Sequence, residues 1–365
     1  MRIQQLLEHH GIDMNPFAEE DAQTDPVFKD RCRDATYHPV WDKVYGDTGD
    51  PATSIVFGEK GAGKTAMRMQ VTGRISDHNA GQKEGRLYII EYDDFNPFLD
   101  RFADRFSARK HRDPAKVLAE WKLWDHMDAI LSLGVTALVD RLLEVPHPTG
   151  TNANRVNVSR INGFDRQQKR DLMLLAACYD NSTSEPLAVR WQRLKRKLRF
   201  HTWISSWDKV LGVVVAAVVA GAIVYRQEWS WLRTVWPYLA VALGWAPWLA
   251  RCWKWHTEAG RIVRNVRVVK HERGPLRGIL KKFTGRDIQG QPIPSKRRTD
   301  DRYELLGKFQ GVLKTLGYDG IVVLVDRVDE PHLITGRAEL MKALVWPMLD
   351  NKFLKQPGFG IKLLL

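Results

Sequence analysis

Two short stretches of the sequence carry the residue types that hold a nucleoside phosphate and its metal ion. The first, GEKGAGKT at residues 58–65, has the spacing GxxxxGK[ST]. Its glycines allow a curled backbone whose N–H groups face a phosphate, Lys64 can reach the β- and γ-phosphates, and the Thr65 hydroxyl can ligate Mg²⁺. The second, LVDRVDE at residues 324–330, places Asp326 directly after an apolar run, where its carboxylate could hold the same ion. Lys64 and Asp326 are 262 residues apart (326 − 64).

A hydrolytic reaction at such a site also needs a carboxylate that positions a water molecule in line with the terminal phosphate. Arg327 cannot do this, because a guanidinium stays charged and accepts no proton. Asp329 and Glu330 remain, and Glu330 has the longer reach. The alternative is that both acids only cap a helix that begins near Pro331.

These arguments give a set of predicted site residues. The phosphate-binding residues are those of the whole loop: Gly58, Glu59, Lys60, Gly61, Ala62, Gly63, Lys64 and Thr65. The predicted metal ligands are Thr65 and Asp326, and the predicted catalytic residues are Lys64, Asp329 and Glu330. Asp93, Asp94 and Asp100 are interpreted as strand-end and capping groups rather than as catalytic ones.

Apolar runs predict the elements that must position these residues. Runs at 53–57, 86–93, 321–325 and 360–365 read as strands, and the first leads into the glycine loop and then into a helix-forming stretch. Helical patterns follow at 114–144 and 167–179. The predicted fold class is therefore α/β, a P-loop core with a mostly parallel sheet and helices on both faces.

Two further runs, Val210 to Tyr225 and Val235 to Ala250, are sixteen residues each and lack charged residues. A membrane-spanning helix needs about 20 apolar residues, a length that each run reaches by including its tryptophan-containing flank. Gly212, Gly221 and Gly244 suit helices that pack closely in lipid. We predict a two-helix transmembrane hairpin inserted in the α/β core; the alternative is a buried hairpin of a soluble protein.

The positive charge of the chain is concentrated on either side of this hairpin. The formal net charge is +13; residues 187–209 carry +6 and residues 251–308 carry +10, whereas the loop around Glu228 has two arginines and one glutamate. This asymmetry places both flanks in the cytoplasm and the loop outside. The basic stretches at 190–201 and 264–283 then face anionic lipid headgroups, with nucleic acid as the alternative partner. Ile262, Val263, Val266 and Val269 indicate an amphipathic helix near the bilayer.

The remaining composition excludes several classes of protein. With 44% hydrophobic and 27% charged residues, the chain is expected to fold. Cys32, Cys178 and Cys252 have no metal-ligand spacing and predict neither a zinc site nor a disulfide framework. The N-terminal stretch lacks the apolar core of a cleaved signal peptide.

The predicted organisation follows from these motifs. It comprises a helical lead-in (1–50), the first part of the core (51–112), a helical insertion (113–202), the transmembrane hairpin (203–255), a basic juxtamembrane segment (256–310) and the second part of the core (311–365).

GEKGAGKT with a distant LVDRVDE and a hairpin between them resembles the KAP family of membrane-associated P-loop NTPases and the wider STAND/AAA+-related group. The opening HHGIDMNPFAEEDA is similar to bacterial ATPases described as origin-recognition-complex-like. The resemblance has some specificity over residues 12–95 and 318–365, whereas the middle matches only in layout.

The resemblance implies binding and slow hydrolysis of ATP with Mg²⁺ on the cytoplasmic face of the inner membrane. It also implies a homo-oligomer or a protein partner, with roles in signalling or defence against phage. Asp329 matches the acidic position three residues after the metal-side Asp in such families. Arg327 departs from the acidic or small residue usual at its position, and no sensor residue or arginine finger is recognisable.

Overall fold

The structure is a computed structural model of the 365-residue chain, and it describes residues 3–12, 15, 18–19, 21–33, 37–59, 61–145, 154–202, 207–227 and 229–365. Of the residues singled out in the sequence, Lys60 and Glu228 lie outside these ranges.

A four-stranded, all-parallel sheet forms the centre of the molecule. Its strands are β1 (Ser54–Val56), β2 (Arg86–Tyr92), β3 (Tyr318–Val325) and β4 (Phe359–Leu364), in the spatial order β1-β4-β3-β2. Tyr92 is in register with Val325, so β2 and β3 end side by side. The four predicted strands and their parallel arrangement are confirmed, and the fold class is α/β.

The helices account for most of the remaining chain. The α-helices of the described residues are α1 (Ile3–His9), α2 (Trp41–Tyr45), α3 (Lys64–Gly81), α4 (Asn96–Ala103), α5 (Ala108–His111), α6 (Pro114–Leu118), α7 (Leu123–Leu143), α8 (Arg166–Tyr179), α9 (Leu187–Lys197), α10 (Trp207–Arg226), α11 (Trp236–Asn265), α12 (Arg273–Leu280), α13 (Gly285–Ile288), α14 (Asp300–Thr315), α15 (Ala338–Val345) and α16 (Asn351–Leu354). A π-helical turn lies at Phe28–Cys32, and 3₁₀ turns lie at Val158–Gly163, Trp229–Arg233 and Trp346–Met348.

Helices cover both faces of the sheet. Side chains alternate along each strand, so each strand presents apolar residues to the helices on both faces. Leu87 and Ile89 of β2 face α2 and α3, where they pack with Val71 and Ile75. The alternate residues belong to a larger core that also contains the buried sides of α7, α8 and α14, among them Tyr88, Ile90, Tyr92, Leu138, Leu175 and Phe309. The loop-bearing helix α3 is thus fixed on one face, and the predicted helical insertion lies on the other.

Several predicted boundaries fall inside continuous elements. The limit at 255/256 lies within α11 and the limit at 310/311 lies within α14. The pattern at 114–144, predicted as one helix, is broken into α6 and α7, because the Asp125 carboxylate accepts the backbone N–H of Lys122 and begins a new helix. Residues 113–202 share their hydrophobic core with β2 and β3.

Helices α10 and α11 form an antiparallel hairpin. A Cβ atom at Gly212 would lie 2.7 Å from the Trp245 ring, and one at Gly244 would lie 2.8 Å from Val215, so both glycines permit close packing. Asp208 and Arg251 pair at 2.7 Å near one end. A Cβ atom at Gly221 would meet nothing within 4 Å, so this glycine has no such role.

Most apolar side chains of α10 are exposed, including Val213 (57%), Val218 (64%) and Val224 (62%). Within the described residues, α10 is the one helix that is long and apolar enough to cross a membrane, and only 17% of its most apolar stretch is buried. The apolar run of α11 is diluted by tryptophan, tyrosine and proline.

The prediction of a lipid-facing amphipathic helix over 262–269 is wrong. Helix α11 ends at Asn265, and Ile262, Val266 and Val269 are buried in the main core, with Val263 packed partly against it. Arg267, in the same segment, donates to both carboxylate oxygens of buried Asp125. These apolar residues repeat in sequence because they enter the protein interior.

The helical layer beneath the sheet contains a buried ion pair between Arg302 of α14 and Asp128 of α7. The guanidinium donates to both carboxylate oxygens at 3.1 and 3.0 Å, and the Tyr179 hydroxyl donates to one of them at 2.8 Å. The carbonyls of Lys296 and Arg298 accept the other N–H groups of Arg302. Every polar group of this pair is therefore satisfied.

Candidate functional site

The glycine loop begins where β1 ends. The ladder between β1 and β4 continues through the Leu365 N–H to the Val56 carbonyl at 2.8 Å and the Gly58 N–H to the Leu365 carbonyl at 2.9 Å. A Cβ atom at Gly58 would lie 2.9 Å from the Ala62 Cβ, so only glycine fits this close approach. The loop is therefore closed on itself at its base.

The turn into α3 requires two residues in the left-handed region. Gly61 has φ +87° and Gly63 has φ +80°, and a Cβ atom at either would meet nothing within 4 Å. Glycine is selected here by backbone conformation, not by crowding. The space beside both residues is open.

The N-terminus of α3, whose first backbone N–H groups have no side-chain cap among the described residues, faces this loop. Gly63 is the N-cap, and no side chain among the described residues caps the helix. The Lys64 ammonium donates to the carbonyls of Gly58 and Glu59 at 2.7 and 3.1 Å. The positive end of α3 and the Lys64 charge thus lie together at the mouth of the loop.

Thr65 and Asp326, predicted as metal ligands from opposite ends of the chain, are in contact. The Thr65 hydroxyl donates to Oδ2 of Asp326 at 3.2 Å. Asp326 is 2% exposed and follows β3, whereas Thr65 lies in the first turn of α3. The structure therefore brings the two halves of the predicted metal site together.

Arg68 is a member of this cluster that the motifs did not indicate. It is buried one turn after Lys64, its Nε lies 3.4 Å from Oδ2 of Asp326, and its guanidinium also contacts the Asp93 carboxylate. Asp93 directly follows β2 and is 29% exposed. Because β2 and β3 end side by side, Asp93 and Asp326 are neighbours across the carboxyl edge of the sheet.

Glu91 adds a third carboxylate to this edge. It belongs to β2 and alternates with Tyr92, so it lies on the face of the sheet that α3 covers. Burial, reinforced by nearby Asp93, raises the pKa of Glu91, whereas Arg68 acts to lower it. A sequence signal for this cluster does exist: acidic residues alternate along the end of β2 at positions 91 and 93, in an otherwise apolar strand.

The Arg327 side chain points away from the glycine loop, in agreement with the argument that it cannot position a water molecule there. Its backbone has φ +56°, its N–H donates to Oδ1 of Asp326 at 2.9 Å, and its guanidinium bonds the side chains of Asp21 and Gln23 at 2.7 and 3.1 Å. The left-handed turn reverses the side chain while the backbone N–H holds the Asp326 carboxylate.

The two predicted water-positioning acids, Asp329 and Glu330, are both exposed. Glu330 lies 3.7 Å from Nε of Arg327. The segment after Pro331 is a series of turns and α15 begins only at Ala338, so the idea that these acids cap a helix near Pro331 is wrong. Their catalytic role stays a prediction.

The other acids of this edge have local roles. Asp94 accepts the Asn96 N–H at 3.1 Å at the start of α4, in agreement with its interpretation as a capping group. Asp100 lies 3.1 Å from His332. Within the described ranges, this edge included, no group of three or more His, Cys, Asp or Glu residues could hold a metal ion, and Cys32, Cys178 and Cys252 are free thiols.

No known protein-family model matches the chain, and no similar protein was found among curated proteins or among solved structures.

Proposed function

We propose that the protein is a membrane-anchored P-loop ATPase that acts as a nucleotide-dependent switch or assembly platform on the cytoplasmic face of the membrane. The observation that carries this proposal is the 3.2 Å contact between Thr65, at the N-terminus of the helix after the glycine loop, and buried Asp326. A chance GxxxxGK[ST] match would have no reason to meet an acidic residue 261 positions away.

The loop residues fit a nucleotide phosphate group. Open space beside Gly61 and Gly63, the uncapped N-terminus of α3 and the Lys64 ammonium converge at one end of the sheet. Backbone N–H groups and a helix N-terminus are a binding site for anions. Gly58, Glu59, Lys60, Ala62 and Thr65 complete the proposed loop, and Lys64 would neutralise charge on the β- and γ-phosphates.

The donor set at Thr65 and Asp326 fits Mg²⁺. Hydroxyl and carboxylate oxygens are the ligands that this ion prefers, and such sites usually offer one or two protein ligands beside phosphate and water. When bound, the ion supplies charge neutralisation for the transferred phosphoryl group. Arg68 and the Arg327 N–H hold the Asp326 carboxylate in place, since each contacts one of its two oxygens.

The α10–α11 hairpin supports the membrane anchor. Large apolar side chains of both helices are exposed, and aromatic residues lie at its ends, including Trp207, Trp229, Trp236 and Trp253. Exposing so many large apolar side chains to water is costly, so this surface calls for a lipid or protein environment. The positive flanks favour a cytoplasmic position for the sheet.

The nucleotide assignment is tested with Lys64→Ala in the full-length protein. We expect loss of ATP binding and of phosphate release, because Lys64 is the residue of the loop motif that would neutralise charge on the β- and γ-phosphates. Lys83→Ala, an exposed lysine beyond α3, is the matched control and should change neither measurement. Unchanged nucleotide affinity and turnover in Lys64→Ala would refute the assignment; binding without phosphate release in the unmodified protein would indicate a non-hydrolysing scaffold.

The anchor is tested by thiol labelling in intact cells. In a Cys32→Ser, Cys252→Ser background, Ser230→Cys reports on the turn between α10 and α11, and Thr183→Cys reports on the exposed segment before α9. A membrane-impermeant maleimide should label position 230 only. Protection of position 230, or recovery of the intact protein without detergent, would contradict the proposed topology.

A further inference from the structure

A groove of about 850 Å³ lies at the C-terminal end of α9 and is lined by cationic side chains. Its cations are Lys195, Arg196, Arg199, His201 and Lys282, the histidine being cationic when protonated. None of the described residues that line it is acidic. We refer to it as the cation groove.

The charges of the groove are not balanced from within the described part of the protein. On the other sides of α9, Arg190 pairs with Asp180, Arg193 with Glu185, and Lys197 with Glu144 at 2.6 Å. Inside the groove, by contrast, Lys195 donates only to the Thr202 hydroxyl, at 2.9 Å. Among the described residues, α9 therefore pairs its cations with carboxylates on its other sides but not on the side that faces the groove.

The two lysines of the groove lie close together although they come from different segments. The ammonium groups of Lys195 and Lys282 both lie over the Trp191 ring, 5.9 and 5.4 Å from its centre. Burial, and then the neighbouring charge of Lys282, lowers the pKa of Lys195. A helix C-terminus favours cations of its own last turn, but that effect does not explain Lys282, which comes from the segment after α12.

The groove lies beside the base of the α10–α11 hairpin. Lys281, next to Lys282, contacts the Cys252 sulfur in α11 at 3.4 Å. Thr202 precedes Trp207, the first residue of α10, by five positions, which a chain spans in at most about 18 Å. In a membrane-anchored protein this is the level of the lipid headgroups.

We propose that the cation groove is a binding site for the phosphate group of an anionic membrane lipid. The half-buried Lys195 and Lys282 would contact the phosphate, and Arg196 and Arg199 would surround it. The lipid assignment rests on the membrane anchor of the proposed function, but the site is separate from the glycine loop. A bound lipid there would fix α9 and the segment after α12 against the base of the hairpin.

The experiment compares short-chain lipids on the full-length protein in non-ionic detergent, with retained lipid counted by native mass spectrometry. Dioctanoyl phosphatidic acid should bind more tightly than dioctanoyl phosphatidylcholine, which has the same chains and no net charge. Each cation near a lipid phosphate contributes about fivefold in affinity. The variant Lys195→Gln/Lys282→Gln should therefore lose about twenty-five-fold in affinity for phosphatidic acid.

The matched control is Lys314→Gln/Lys355→Gln, which removes the same charge from two exposed sites elsewhere. It should bind phosphatidic acid as the unmodified protein does. If thermal unfolding shows that the first variant is misfolded, Arg196→Gln/Arg199→Gln replaces it, because both arginines are exposed. The measurement uses neither ATP turnover nor topology, so its outcome is independent of the two tests above.

Four results would overturn the proposal. They are equal retention of phosphatidylcholine, no loss in the groove variant, an equal loss in the control, and inorganic phosphate binding as tightly as phosphatidic acid. The last would identify a site for a free anion. A 30-base-pair DNA duplex serves as a further arm, since tighter DNA binding that disappears in the same variant would assign the groove to nucleic acid instead.

Discussion

Among the places where arginine meets buried aspartate in this molecule, two contacts differ in how completely they are satisfied. In the helical layer, Arg302 and Asp128 are both fully buried, and each polar group has a partner at ordinary hydrogen-bond distance. At the carboxyl edge of the sheet, Arg68 approaches Asp326 at 3.4 Å and Thr65 does so at 3.2 Å. The first arrangement is closed, whereas the second has long contacts to Oδ2 of Asp326 and a partly exposed neighbour in Asp93.

Under the proposed function, the difference means that one kind of residue pair serves stability in one place and binding in another. A closed pair leaves no donor or acceptor for a ligand, so it acts only on folding. In the edge cluster, Oδ2 of Asp326 is held only by the long contacts to Arg68 and Thr65, which under the proposed function an incoming cation would replace. Its position decides this, because the carboxyl ends of parallel strands are where loops leave room for ligands.

The largest expected effect is a loss of folding stability caused by Arg302→Met. Removing one partner of a buried pair leaves Asp128 without its counter-charge, which costs about 3–5 kcal/mol. Arg68→Met should cost less, because Asp93 is 29% exposed and can be solvated. Urea unfolding in EDTA measures both. Equal losses of unfolding free energy would mean that the polar groups of the edge cluster are as fully satisfied as those of the Arg302–Asp128 pair.

The next effect concerns pH and again belongs to the helical layer. The Nε2–H of His271 donates to the Cys178 carbonyl, and burial lowers the pKa of this histidine from 6.5 to about 4. The unfolded chain therefore binds more protons between these values, so the stability that the neutral ring supplies is full above pH 6.5 and is lost as the pH falls toward 4. Over 2.5 pH units this amounts to about 3 kcal/mol.

His271→Gln tests this by subtraction. The difference in unfolding free energy between the unmodified protein and the variant should shrink as the pH falls from 6.5 to 4, and other buried groups cancel in that difference. His78, at the end of α3, supplies the control variant His78→Gln. A pH-independent difference for His271→Gln would show that the His271 ring has the same pKa in the folded and the unfolded protein.

The smallest expected effect separates the acids around the glycine loop. We predict that Asp329→Asn retains ATP binding while phosphate release falls about a hundredfold, as for loss of a group that positions the attacking water. Glu330→Gln should remain active, since Glu330 lies 3.7 Å from Arg327 and is drawn toward it. A loss confined to Asp93→Asn would instead assign the role to the end of β2.

Much of the α/β core could be predicted because its signals are local. A run of β-branched residues that leads into glycines gives β1 and its loop without reference to other segments, and apolar runs alone gave the other three strands. The pairing of Thr65 with Asp326 followed because the chemistry of one motif demands the other. Helix packing within the hairpin was likewise indicated by Gly212 and Gly244.

What escaped prediction depends on distant partners. Arg68 resembles any polar residue of a helix until β2 and β3 bring Asp93 and Asp326 to it. Ile262, Val266 and Val269 have the spacing of a membrane-surface helix, but the core of α7 and α8 takes them into the interior. An apolar pattern shows which residues avoid water, and it does not tell whether lipid or protein receives them.

The strand order has a consequence for how the chain is made. Strand β4 pairs with both β1 and β3, so β1 has no neighbour in the sheet until residues 359–364 exist. β1 ends 303 residues earlier (359 − 56), a wait of roughly 15–60 s at ribosomal speeds. The α10–α11 hairpin leaves the ribosome within that interval. The glycine loop therefore gains its supporting ladder only after the hairpin has been synthesised, so the long insertion is complete before the loop is held at its base.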